Sequence, residues 1–153
     1  MSSTAFDKAV ELVARRPHFR EELRRKLESR GFDAEEVDAA LLRLAELGHL
    51  DDRALAGAET ARLRSRRGLG RVAVAAELAR KGADREAIDA ALESASEDDL
   101  AIARSAAGRW LRAHAPNRAA LARHLDRKGF AGHVIFRVLN ELAPDSTGGS
   151  EPE

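Results

Sequence analysis

The chain has 153 residues, and its 26 basic and 26 acidic side chains cancel to a formal net charge of zero. That balance excludes wholesale basic wrapping of nucleic acid but leaves local patches open. The absence of cysteine excludes a disulfide framework, a thiolate zinc site and a cysteine nucleophile, and no apolar run approaches the roughly 18 residues that span a bilayer. The first residues carry no basic segment followed by an apolar one, so no secretory signal is expected. A reducing, cytoplasmic setting without membrane association is expected instead.

Thirty-one alanines, 22 arginines and 19 leucines stand against five phenylalanines, one tryptophan and no tyrosine. The abundant residues are strong helix formers, and the β-branched and aromatic residues that strands favour are scarce. The expected fold class is all-α. In chain order, helices are expected over 4–16, 20–30 and 33–47, then 52–67, 71–81 and 85–95, then 98–114, 118–128 and 132–142. Val37, Leu41 and Leu44, and again Ile88, Leu92 and Ala95, show the helical period. Gly31, Gly82 and Gly129 stand where a helix closes on a left-handed residue. Asp33 and Asp84 fit as N-caps, with Glu36 completing a capping box beside Asp33. Ala131 offers no such cap, Pro144 ends the last helix, and the small polar stretch after it is expected to be disordered.

The nine segments form three repeats. Leu12, Leu63 and Trp110 share a column, as do Leu27, Leu78 and Leu125, the three glycines, then Val37, Ile88 and Ile135, and finally Leu41, Leu92 and Leu139. The offsets are 51 and then 47 residues, with no gap within the columns. The expected organisation is three-helix repeats over 1–49, 50–96 and 97–143 and a disordered tail over 144–153. Short helical units bury little alone but share a seam when stacked, so an elongated array of three tandem three-helix repeats is expected. Arrays of this kind serve as binding surfaces, an argument by architecture alone.

Charge repeats with structure. Segment 15–30 carries seven basic and three acidic residues, a net of +4; 33–52 is −6, 62–81 is +6, 84–99 is −6, 104–128 is +6, and the rest of the chain from 129 is −3. Arg30, Lys81 and Lys128 precede the glycines, where a cation complements the helix dipole, a structural role. Arg20, Arg71 and Arg118 open the second helix of each repeat, where the dipole opposes a cation. Arg15 and Arg16, Arg66 and Arg67, and Arg112 with His114 lie close by at the end of each first helix. These basic corners could follow a phosphate backbone or an acidic protein groove, or simply be solvated helix faces with internal ion pairs to Glu35, Glu36 or Glu86.

Other constellations point to structure. Asp51-Asp52 and Asp98-Asp99 fall in matching register at helix starts, where capping accounts for them better than a metal-dependent catalytic site. The five histidines show no ligand spacing, and Gly68-Leu69-Gly70 lacks the strand and the lysine of a phosphate-binding loop. No catalytic residue, metal or cofactor is expected.

Three motifs together resemble one family. Leu50-Asp51-Asp52-Arg53-Ala54-Leu55-Ala56 is similar to its Leu-Asp-Asp-x-x-Phe-Ala element. Gly68-Leu69-Gly70 followed by Glu77-Leu78-Ala79-Arg80-Lys81-Gly82 is similar to its glycine-rich link into Glu-Leu-x-x-Lys-Gly. Arg15-Arg16-Pro17-His18, Glu22-Leu23-Arg24-Arg25-Lys26-Leu27 and Arg30-Gly31-Phe32 are similar to its first-repeat signature. Over residues 5–142 the chain resembles the RecX family of regulators of the bacterial RecA recombinase. It departs from the family pattern at Leu55, where an aromatic is preferred, at Phe19, where a serine is common, and at Ala73 and Ala83, where a basic and a β-branched residue are usual.

The resemblance implies a non-enzymatic helical repeat protein of the cytoplasm. It would act as a monomer on RecA and its single-stranded-DNA filament, lowering ATP hydrolysis and strand exchange in DNA repair, recombination and the SOS response. Direct binding to single- or double-stranded DNA is also implied, and a stand-alone DNA-binding helical repeat protein is the alternative. The residues expected to meet the partner or DNA are Arg15, Arg16, Arg20, Arg66, Arg67, Arg71, Arg112 and Arg118.

Overall fold

The structure, a computed structural model, describes residues 2–95 and 99–144. Among these residues the chain is all-helical, as composition indicated. The helices are α1 (Ala5–Arg15), α2 (Arg20–Ser29), α3 (Ala34–Glu46), α4 (Asp52–Arg67), α5 (Arg71–Lys81), α6 (Arg85–Ala95), α7 (Asp99–Ala113), α8 (Arg118–Arg127) and α9 (Gly132–Leu142). Four of the expected spans coincide with these, and the rest differ by one residue at one or both ends, where helices fray. Asp98 and the expected tail beyond Pro144 lie outside the described residues.

The chain divides into two compact units, Met1–Thr60 with Glu77–Glu93, and Ala61–Ala76 with Ser94–Glu153. The division falls within α4 and within α5.

In the first compact unit, Thr4 caps α1: its Oγ1 accepts from the Asp7 N–H at 3.1 Å, and Asp7 Oδ2 accepts from the Thr4 N–H at 3.2 Å. Apolar residues at helical spacing, Ala9 and Leu12 of α1, Leu23 and Leu27 of α2, and Val37, Leu41 and Leu44 of α3, close one buried cluster with Leu50. Asp33 caps α3 as expected, accepting from the Glu36 N–H at 2.9 Å. The expected capping box does not form. Glu36 Oε1 instead accepts from the Ala5 N–H at 3.0 Å, so this carboxylate serves the start of α1, 31 residues away. Phe19 precedes α2 without a side-chain cap and is buried, trading a capping hydroxyl for apolar packing.

In the second compact unit, Ala103, Ala106 and Ala107 of α7, Leu121 and Leu125 of α8, and Val134, Ile135, Val138 and Leu139 of α9 build the core with Phe130. Asn117 caps α8, accepting from the Ala120 N–H at 2.9 Å, and Ala131 gives α9 no side-chain cap, as expected.

Leu27, Leu78, Leu125 and Leu63 are fully buried, and Leu12 is buried. Trp110 departs from the buried leucines of its column: it is only partly buried at the edge of the second core. The indole is larger than the leucines of its column, and its outer face stacks on His114, with ring centroids 4.5 Å apart.

The glycine column is left-handed throughout, with φ of +91° at Gly31, +104° at Gly82 and +88° at Gly129. Two of the three also allow a close approach. A Cβ on Gly82 would sit 2.8 Å from the Glu22 nitrogen, and one on Gly129 would run into Ala73, whereas one on Gly31 would meet nothing. The Gly129 carbonyl accepts from the Val72 N–H at 3.1 Å and the Lys128 carbonyl from the Gly70 N–H at 2.8 Å, so the end of α8 abuts the start of α5. This seat accounts for the small residue at position 73.

Candidate partner interface

The expected interface residues fall at the corners between consecutive helices. In the first compact unit, Arg15, Arg16 and Arg20 are exposed. Arg15 pairs with Glu11 at 3.1 Å. Arg16 grips Glu22 through both terminal nitrogens, at 3.2 and 2.7 Å, and also donates to the Pro17 carbonyl. That hydrogen-bonded carboxylate raises the Arg16 pKa above its ordinary value. In the second compact unit Arg66, Arg67 and Arg112 are exposed, and Arg71 and Arg118 are half-buried. Arg118 donates to the Ala143 carbonyl at 2.8 Å and to Asn140 Oδ1 at 2.9 Å, so it closes the C-terminal end of α9.

The dipole cost at the starts of α2 and α5 is met within the chain, which the repeat pattern alone did not reveal. Asp52 Oδ1 accepts from the Arg20 N–H at 2.8 Å, and Asp99 Oδ2 from the Arg71 N–H at 3.4 Å. Each carboxylate caps an earlier helix that has no capping side chain of its own and places a negative charge at its positive end. The third corner differs: α8 carries its own Asn117 cap. Asp51, by contrast, caps its own helix, accepting from the Ala54 N–H at 3.1 Å. Only the first member of that acidic pair thus has the expected role. Burial is the largest influence on Asp52 and raises its pKa, with Asp84 and Asp51 adding to it against the Arg20 N–H and guanidinium. Arg20, Asp51, Asp52 and Asp84 line one open groove.

Each cation of the column before the glycines holds an internal acceptor. Arg30 donates to the Lys26 carbonyl at 3.1 Å, Lys81 pairs with Glu59 at 2.5 Å, and Lys128 donates to the Arg67 carbonyl at 2.8 Å.

Sequence reasoning missed a buried ion pair. Arg64 Nη1 lies 2.5 Å from Asp99 Oδ1, with the side chains 6% and 7% exposed. The approach is not aligned as a hydrogen bond, and Arg64 also donates to the Ala95 carbonyl at 3.3 Å. The signal was present: at the offsets of 51 and 47 residues Arg64 falls in one column with the apolar Val13 and Leu111.

Residues 5–44 match the family model of the first three-helix domain of RecX, and residues 51–92 match that of the second. The chain is 44% identical over 110 residues to the regulatory protein RecX of Chlorobaculum tepidum, covering 72% of this chain and 68% of that protein. It is 38% identical over 139 residues to the protein of the same name from Stenotrophomonas maltophilia, covering 88% and 85%. Among solved structures, RecX from Lactobacillus salivarius superposes with a TM-score of 0.78 at 19% identity, over 90% of this chain and 94% of that one. A second RecX crystal structure gives 0.75 at 22% identity, over 89% and 70%. These two likenesses establish the fold.

Proposed function

The chain belongs to the RecX family, and from that premise we propose that it binds the RecA recombinase, or its filament on single-stranded DNA, and lowers ATP hydrolysis and strand exchange. The observation that carries this reading is the match of residues 5–44 and 51–92 to successive RecX domains, together with relatives named regulatory proteins that align over most of the chain. In this reading the protein is a non-catalytic cytoplasmic regulator in DNA repair, recombination and the SOS response. Three three-helix repeats, 1–49, 50–96 and 97–143, carry the contacts. No helix among the described residues is long and apolar enough to cross a membrane.

The exposed Arg15, Arg16, Arg66, Arg67 and Arg112 supply the cations of this interface. Arg20, Arg71 and Arg118 lie at the same corners, where Asp52 and Asp99 cap the Arg20 and Arg71 N–H groups and the Arg118 guanidinium closes the end of α9. An exposed guanidinium that also holds an internal carboxylate, as Arg16 does, can exchange that partner for a phosphate or an acidic side chain at small cost, because exposed pairs contribute only about 0–1 kcal/mol.

The test is RecA ATP hydrolysis on single-stranded DNA with this protein titrated in. A saturable fall is expected, weakened when Arg15, Arg16, Arg66 and Arg67 are changed to Gln. Hydrolysis and strand exchange that stay unchanged at every ratio would refute the proposal. DNA binding without any effect on the recombinase would favour the stand-alone DNA-binding alternative.

A further inference from the structure

Within the second compact unit, α7 and α8 bring together a set of side chains outside the corner arginines. Trp110 of α7 and His114, the residue just past its end, lie four apart in sequence, and their rings stack with planes within 8° of parallel. His114 Nδ1 and the Trp110 carbonyl are 3.0 Å apart, so the Nδ1–H donates to that carbonyl and holds the imidazole over the indole. His124 of α8 leans on the same indole at 6.2 Å between centroids.

Cations lie near His124 of this ring set. His124, Arg127 and Lys128 are spaced i, i+3 and i+4, which puts them on one face at the end of α8, and Asp126 falls on the opposite face by the same geometry. Arg109 of α7, whose guanidinium lies beside Gly68, adds a further positive charge that acts on His124. Burial first, then the charges of Lys128 and Arg127, with His114 and Arg109 adding, hold the His124 imidazole below the usual range. The helix dipole accounts for cations at the end of α8. It does not account for Arg109, or for a half-buried aromatic pair set among them. Arg109, His114 and Arg127 are exposed, and Trp110, His124 and Lys128 are partly so.

We propose that Arg109, Trp110, His114, His124, Arg127 and Lys128 form a docking surface for single-stranded nucleic acid. The cations take successive phosphates, and the ring stack takes an unpaired base, the combination by which single strands are held without sequence preference. A duplex keeps its bases stacked on each other and so presents phosphates to the cations but no base face to the rings. The surface deepens the reading above, because it rests on a regulator that meets a recombinase filament on single-stranded DNA, yet it is tested without the recombinase.

Trp110 is the only tryptophan in the chain, so its fluorescence reports the surface directly. Titrating the full chain with a short oligothymidylate should quench Trp110 saturably, with affinity falling as salt rises. In Arg109→Gln/Arg127→Gln the log–log salt slope should flatten by about 1.4, at about 0.7 per phosphate contact, and in Arg127→Gln alone by about half of that. Circular dichroism on each variant confirms that the helices are intact, and the single variant decides the matter if the double one does not fold. Binding that leaves Trp110 fluorescence unchanged, or folded variants with the wild-type salt slope, would overturn the surface. Equally tight quenching by a matched DNA hairpin or by inorganic tripolyphosphate would overturn it too, in favour of a simple anion site. Inhibition of RecA without any oligonucleotide binding would sink this surface and leave the proposed function standing; strand binding without an effect on RecA would do the reverse.

Discussion

Asp99→Ala should be the most damaging single substitution of a polar side chain described here. It removes the partner of Arg64, whose guanidinium is 6% exposed, and the acceptor for the Arg71 N–H at the start of α5. Leaving one member of a buried pair unpaired costs roughly 3–5 kcal/mol, a large fraction of the ~5–15 kcal/mol that holds a domain folded. The pair itself is not expected to contribute that much, since desolvating two charges offsets most of their attraction. Arg64→Met/Asp99→Asn tests the distinction: it removes both charges, fills the position with an apolar chain like Val13 and Leu111 of the same sequence column, and keeps an oxygen for Arg71. Urea unfolding followed through Trp110, which lies in the same compact unit, gives the stability of each variant. The double variant should be clearly more stable than Asp99→Ala. A loss below about 1 kcal/mol in Asp99→Ala, or a double variant no more stable than that single one, would refute the reasoning.

The glycine column gives a graded comparison: Gly31→Ala should cost only the left-handed backbone term of about 1–2 kcal/mol, and Gly129→Ala clearly more, because its Cβ would collide with Ala73; equal midpoints in chemical denaturation would contradict this. Asp52→Ala should cost about 0.5–2 kcal/mol and speed amide exchange in the first turn of α2, where Phe19 offers no substitute cap. His18 is buried, with Nδ1 donating to the Arg16 carbonyl at 2.9 Å and Nε2 accepting from Lys26 at 2.8 Å. Burial first, with Arg16 and Lys26 adding, holds its imidazole below the usual range despite the opposing carbonyl and Glu22. The unfolded chain therefore takes up a proton that the folded chain resists, and stability should fall as pH drops through and below about 6.5; His18→Gln should flatten that dependence in denaturation midpoints measured from about pH 7.5 to pH 5.

The corner arginines show where local reasoning stopped. An arginine at a helix start, read alone, has only the dipole against it. The offsetting carboxylates at Asp52 and Asp99 come from 32 and 28 residues further along. Their signal was the repeated acidic pair, which capping explained locally and incompletely. Glu36 was misassigned for the same reason, since its nearest orphan N–H in sequence is not its nearest in space.

By itself, the sequence determined the helical class, the ends of the helices, the left-handed glycines and the buried leucine columns. These depend on interactions within about four residues or on a period that a linear pattern records. Only the tertiary structure decided which carboxylate caps which helix, that Arg64 and Asp99 are buried together, and that Trp110 stays at the surface under His114. Such choices depend on which groups are desolvated side by side. Chain separation does not encode that, because a hydrogen bond across 32 residues has the same chemistry as one across three and leaves no period behind.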